Sequence, residues 1–158
     1  MNVYHDHEFV FANTFHFKGR EGSDNYYTGD GTFLPKRPGR HMWETNFVPD
    51  LRSFELHTWA ARGAGGSNMM FCLADGAMHA HMSEMPVGTY KKGHRHGADF
   101  HVMCVTGYGY SLLWYQGQED FTRVDWSHGT VFAPPDMMFH QHFNAAPDPS
   151  RYLAIACG

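Results

Sequence analysis

The chain has 158 residues, enough for one domain with a core of its own and no need of covalent staples. Hydrophobic residues make up 42% and charged residues 18%, which excludes a disordered chain; no run of about 18 uninterrupted apolar residues exists to cross a bilayer. A formal charge of −4, with no basic block larger than Lys91, Lys92 and Arg95, makes nucleic acid and membrane unexpected partners.

Residues 1–11 carry His, Asp and Glu where a secretory leader needs a basic and then an apolar stretch, so the expected location is cytoplasmic. Gly and Pro are frequent from Gly19 to Gly39, and Phe9, Phe11, Phe15 and Phe17 have no long partner strand nearby. Residues 1–50 are therefore expected to form an irregular arm that packs on the rest of the chain or on a second subunit, and residues 51–158 a single barrel. Short β-branched and aromatic runs between Gly, Pro, Asn and Asp are the mark of an all-β sandwich or barrel. They predict strands over 53–59, 68–73, 78–85, 100–106, 110–115, 121–125, 130–132, 138–144 and 151–156. Three cysteines, Cys72, Cys104 and Cys157, fit neither a disulfide framework nor a zinc ribbon.

Thirteen histidines invite a metal, but position decides. Four His-x-His pairs occur: His5/His7, His79/His81, His94/His96 and His140/His142. On a strand, residues i and i+2 share a face, so each pair could aim two imidazoles at one point. His5 and His7 are expected to be exposed, and His79 and His81 to be ordinary strand residues.

Context singles out two blocks. Gly88 precedes His94 and His96 by the right interval, His101 follows five residues on, and Gly107 closes the run; later come Gly129, Pro135, His140 and Asn144. These blocks resemble the paired motifs of the cupin superfamily: glycine, five residues, His-x-His, a fourth ligand and glycine, then glycine, proline, His and Asn. The resemblance implies a small double-stranded β-helix (jelly-roll) barrel whose interior holds one metal on His94, His96, His101 and His140. Two places depart from the family pattern. His101 stands where a glutamate is usual, and Met137 where a glycine is expected in a turn. Segments 41–50, 62–68, 86–96 and 134–144 further resemble the C-terminal half of bacterial two-cupin proteins, themselves loosely similar to gentisate-type ring-cleaving dioxygenases. The expected assembly is then a homodimer, the second subunit standing in for the other barrel.

All-nitrogen ligation disfavours Mg²⁺ and Ca²⁺ and leaves Fe(II), Mn, Ni, Cu and Zn, with Fe(II) favoured by the resemblance. Strand parity sends Met138, His142 and Asn144 inward with His140, and sends Phe139, Gln141 and Phe143 outward, where they need cover. An inward His101 would bring Met103 and Val105 with it, and Asp99 by the same parity. The expected pocket is lined by Met103, Tyr110, Trp114 and Met138, with Tyr90, Tyr108 and His142 placed to orient substrate or pass protons. The leading function is an Fe(II) dioxygenase acting on a small aromatic, enol or diketone substrate. Two rivals are a non-redox Zn, Mn or Ni lyase, isomerase or hydrolase, and a metal-dependent small-molecule binding module or half of a two-barrel assembly.

Overall fold

The computed structural model describes residues 28–37, 40–45, 47–63, 65–73, 78–97 and 100–157. His5, His7, the Phe9–Phe17 aromatics and Asp99 lie outside the described residues. The strands are β1 (Thr32–Arg37), β2 (Arg40–Glu44), β3 (His57–Thr58), β4 (Ser67–Leu73), β5 (Met78–Met85), β6 (Tyr90–His94), β7 (His101–Thr106), β8 (Tyr108–Trp114), β9 (Thr122–Ser127), β10 (Val131–Phe132), β11 (Phe139–Asn144) and β12 (Ser150–Cys157). A 3-10 turn at Ala60–Arg62 sits between β3 and β4.

Two sheets face each other. The larger runs β1-β2-β4-β5-β12-β7-β10, with β3 also on β4, and the smaller runs β6-β11-β8-β9. Gly107 turns the chain from one sheet to the other. Its φ is 80°, and a Cβ there would lie 2.0 Å from Ser150 Oγ, so only glycine fits.

The strands expected between residues 67 and 157 form close to their expected bounds. Three others escape a pattern reading. β1 and β2, inside the expected arm, pair with each other, and β2 runs parallel to β4 at the sheet's edge. In β6 only Lys91 is fully buried, so no apolar alternation marks it as a strand.

Both faces of the larger sheet are buried, by different means. One face carries Met69, Phe71, Ala80, Met82, Val105 and Leu153, covered by Val48, Leu51, Phe54 and Leu56. Arg151 pins that cover: its guanidinium bonds Glu84 at 2.6 Å and donates to the carbonyls of Leu51 at 3.1 Å and Phe54 at 2.9 Å. The other face looks into the barrel and carries Met85, Val102, Cys104, Tyr152 and Ala154, against Trp126 from the smaller sheet.

Asn144 knots the end of the barrel. Its Nδ2 donates to the carbonyls of Met85, Pro86 and Asp148, each at 3.0 Å, and its Oδ1 accepts from Ala146 N at 2.8 Å and Ser150 Oγ at 2.6 Å. Truncating it strands several buried partners at once. Asn144→Ala should lower the unfolding free energy by about 3 kcal/mol or more, read from the shift of the urea midpoint; an unmoved midpoint would show that the knot contributes nothing.

Candidate metal centre

His94 ends β6, His96 lies in the loop that follows, and His140 is the second residue of β11. β6 and β11 are antiparallel neighbours, and their register sets His140 directly across from His94. One ligand atom from each of His94, His96 and His140 can be chosen so that all lie within 4.8 Å of one another. The ring centroids are 4.3 Å apart for His94–His140, 4.8 Å for His96–His140 and 5.6 Å for His94–His96.

Each ring is locked the same way. His94 Nδ1 bonds the Lys92 carbonyl at 2.9 Å, His96 Nδ1 the Gly97 carbonyl at 2.9 Å, and His140 Nδ1 the Met138 carbonyl at 3.1 Å. A carbonyl only accepts, so Nδ1 is the protonated nitrogen in all three rings. The lone pair is left on Nε2, the arrangement a metal-binding imidazole needs. Burial pulls His94 from 6.5 to about 3 and His140 from 6.5 to about 4. Both are therefore neutral at neutral pH and need lose no proton to bind a metal.

The loop carrying His96 is fastened to the second motif, since Met137 N donates to the His96 carbonyl at 3.1 Å. Met137 has φ 55°, in the left-handed region that favours glycine, which explains the glycine usual at this turn. Because its side chain is exposed, Met137→Gly should raise stability by up to about 1 kcal/mol, measured by denaturant unfolding. A loss of stability would mean that the methionine side chain holds the loop.

His101, expected as a fourth ligand, does not join the group. It pairs with Ile155 as Met103 pairs with Leu153, and Met103, Leu153 and Ile155 all belong to the covered outer cluster. Its Nδ1 is buried there with no hydrogen-bond partner among the described residues. The face toward the histidines belongs to Phe100 and Val102, and the Phe100 ring meets His96 edge-on at 4.8 Å.

The expected pocket residues separate in the same way. Met103 packs in the outer cluster, away from the imidazoles. Alternation on β8 buries Gly109, Ser111 and Leu113 and turns Tyr108, Tyr110 and Trp114 the other way. Tyr110 stacks on Phe143 at 4.8 Å and Trp114 on Phe139 at 5.5 Å, so the outward aromatics of β11 find their cover on their own sheet. Tyr90 joins that outer ladder beside Phe143, and Tyr108 is half exposed. Met138 is half-buried beside Leu113, and its carbonyl holds His140.

His142 does lie inside, 2% exposed. Its Nδ1 bonds Ser111 Oγ at 2.7 Å, and Ser111 Oγ accepts from Trp126 Nε1 at 3.0 Å. Burial holds its pKa well below the ordinary value. Two interior groups have no counterpart among the expected site residues. His81 pairs with Ala154 on the inner face, 5.6 Å from the Phe100 ring, and burial keeps it neutral. Lys91, 6% exposed, pairs with His142 and donates to Ser83 Oγ at 3.1 Å and to the Tyr152 hydroxyl. Desolvation, with the Arg62 charge a lesser cause, brings its amine from 10.5 to about 7.

Comparison with solved structures places the architecture. A cupin 2 conserved barrel protein from Rhodopseudomonas palustris is 22% identical, with a TM-score of 0.53 over 80% of each chain. A cupin-2 domain from Rhodospirillum rubrum is 16% identical, with a TM-score of 0.55 over 77% of this chain and 79% of its own. The Cnp3 cupin domain of Schizosaccharomyces pombe is 14% identical, with a TM-score of 0.57 over 82% of this chain and 85% of its own. No protein-family model and no curated protein matches the sequence. Identities this low establish a common fold and nothing about chemistry. The fold is the cupin barrel. Within it, this chain carries a three-histidine group that could hold a metal ion.

Two expectations follow. His140→Ala should lose most of the bound metal while His101→Ala keeps it, by elemental analysis of each purified variant; equal losses would return His101 to the ligand set. Lys91 tests the electrostatics. Folded Lys91 releases its proton at about 7 and an unfolded lysine at 10.5, so unfolding takes up a proton between those values. Stability should therefore rise from pH 7 toward pH 10, and Lys91→Met should flatten that rise in thermal melts; a rise of the same size in the variant would mean that Lys91 does not titrate there.

Proposed function

We propose that the protein is a mononuclear, non-haem metal-dependent enzyme, and that it is an Fe(II) dioxygenase acting on a small aromatic, enol or diketone substrate. The observation that carries this reading is the shared tautomer of His94, His96 and His140. Each Nδ1–H is spoken for by a carbonyl, which leaves the lone pair on Nε2, and the three rings cluster with one ligand atom apiece within 4.8 Å of the others. Neutral imidazoles on three corners, with the Phe100 ring against His96, suit a transition metal with positions open to substrate. Such a metal would supply Lewis acidity toward a substrate oxygen and, as iron, electron transfer to O₂.

The chain's own residues supply the rest. Phe100 and Phe132 supply apolar surface beside His96 and His142. Ser111 Oγ takes a hydrogen bond from Trp126 and shares another with His142 Nδ1, which fixes the orientation of that ring. The His142 ring lies 4.9 Å from the Tyr152 ring and 5.6 Å from the His140 ring, so this neutral imidazole is inside the barrel, where it would hydrogen-bond a substrate and orient it.

Lys91 favours a second reading. A buried amine that titrates near neutrality is a competent general base, and with Zn, Mn or Ni on the histidines it would serve a non-redox lyase or isomerase.

Elemental analysis of protein purified without added metal, followed by oxygen uptake with catechols, gentisate and β-diketones, separates the two. Stoichiometric iron with substrate-dependent uptake is the expected result. Zinc, manganese or nickel without uptake would replace the dioxygenase by the second reading, and protein without metal would remove both.

A further inference from the structure

Hydrogen bonds across the interior fix which residues of the two sheets face each other. Asn144 of β11 accepts from Ser150 Oγ and donates to the Met85 carbonyl, and Ser150 and Met85 are directly opposed in the larger sheet. Two residues back on β11, His142 pairs with Lys91. Lys91 in turn donates to Ser83 Oγ and the Tyr152 hydroxyl, again a directly opposed pair of the larger sheet. One more step of two on β11 reaches His140, which pairs with His94. The same step on the larger sheet, from Ser83 and Tyr152, reaches His81 and Ala154. Residues two apart on a strand share a face, so His81 and Ala154 form the wall opposite the metal group.

Ring contacts agree with that placement. The Phe100 ring lies 5.6 Å from the His81 ring and 4.8 Å from the His96 ring, so it stands beside both. Desolvation is the main cause that keeps His81 neutral, and the charges acting on it are those of Lys91, Arg62, His94 and His96. The other polar groups of these rows are engaged. Ser83 and Tyr152 accept from Lys91, His142 bonds Ser111, and His94 and His140 each give Nδ1–H to a carbonyl. His81 differs: it is half-buried, and neither of its ring nitrogens has a hydrogen-bond partner among the described residues. A neutral imidazole carries one N–H donor and one lone pair, so this ring has both to offer to a ligand.

We propose that His81 is a substrate-positioning residue, which hydrogen-bonds a second polar atom of a ligand held on the metal by His94, His96 and His140. The inference rests on the metal reading of those three histidines and adds a requirement to the substrate class. The substrate carries two heteroatoms a few bonds apart, one for the metal and one for the His81 ring. A β-diketone, its enol or a catechol meets that requirement, and a simple phenol does not. Facing sheets lie about 10 Å apart, so a ligand only a few atoms long on one wall reaches the other. His81 sits in the middle of paired strands, between Met70 of β4 and Ala154 of β12, so its position is set before any ligand arrives. A ligand held at both ends is confined to one orientation, which is what a reaction at the metal needs.

Azide titration of the whole chain loaded with Co(II), followed by the visible spectrum, tests it. Azide stands in for the ligand, with one end on the metal and the other free to accept a hydrogen bond. Saturable binding by the wild type is expected. His81→Leu should weaken it about tenfold or more, the worth of a hydrogen bond to a charged group. His81→Gln, which keeps a donor, should stay within about threefold of the wild type. Both variants should keep their Co(II) by elemental analysis. Should His81→Leu not fold, His81→Phe takes its place with the same expected loss. Full affinity in the Leu or Phe variant would overturn the role, as would an equal loss in His81→Gln or a wild type that holds Co(II) and binds no azide. Loss of Co(II) from a folded variant would make His81 a metal ligand and overturn it too. A wild type that takes up no Co(II) would remove the metal reading itself, and this inference with it.

Discussion

The ladder between β6 and β11 is the constraint on which the interior depends. One register sets His94 across from His140, Lys91 across from His142, and Tyr90 across from Phe143. The first pair is the core of the metal group, the second is the buried amine beside the buried imidazole, and the third lies in the outer aromatic ladder. These pairs do not follow a strict period of two, because the register shifts between His140 and His142. That irregularity is what lets both Lys91 and His94 face inward from a short strand. A slip of one residue would turn the histidines out and the aromatics in.

Electrostatics follows from this packing. The buried polar groups of the described interior are imidazoles, hydroxyls, amides and one amine, without a buried carboxylate. Burial penalises charge, so His81, His94, His140 and His142 are all pushed toward the neutral form, and Lys91 is brought close to it. Neutral imidazoles are what a metal ion binds. The same desolvation that readies them makes any unpaired buried charge costly, whichever its sign.

The outer face of the smaller sheet is organised by another principle. Trp114 on Phe139, and Tyr110 and Tyr90 on Phe143, form a cross-strand aromatic ladder, with Arg95 4.9 Å over Phe139 and Arg123 4.1 Å over Tyr110. Such pairs stabilise the sheet through its own side chains. The aromatics expected to line a pocket are thus occupied in holding the wall of the barrel.

The sequence by itself determined the all-β class, most strand positions from 67 onward, and the histidines at 94, 96 and 140. These are local matters: strand signals are short-range, and two His-bearing blocks with glycines and prolines at set intervals define two ends of one site. Which face of β7 and β8 looks inward was decided only by the tertiary structure. Pattern reading takes the apolar stripe as the buried one, but both faces of the larger sheet are buried here. Residues 48–56 cover the face with Met103, Val105 and His101, while Val102 and Cys104 look into the barrel. That cover comes from about fifty residues earlier in the chain, and the period of β7 contains no trace of it. For the same reason His81 and Lys91 could not be placed in advance. A polar residue on a strand reads as solvent-facing until the second sheet closes over it, and here the polar face is the one that encloses the site.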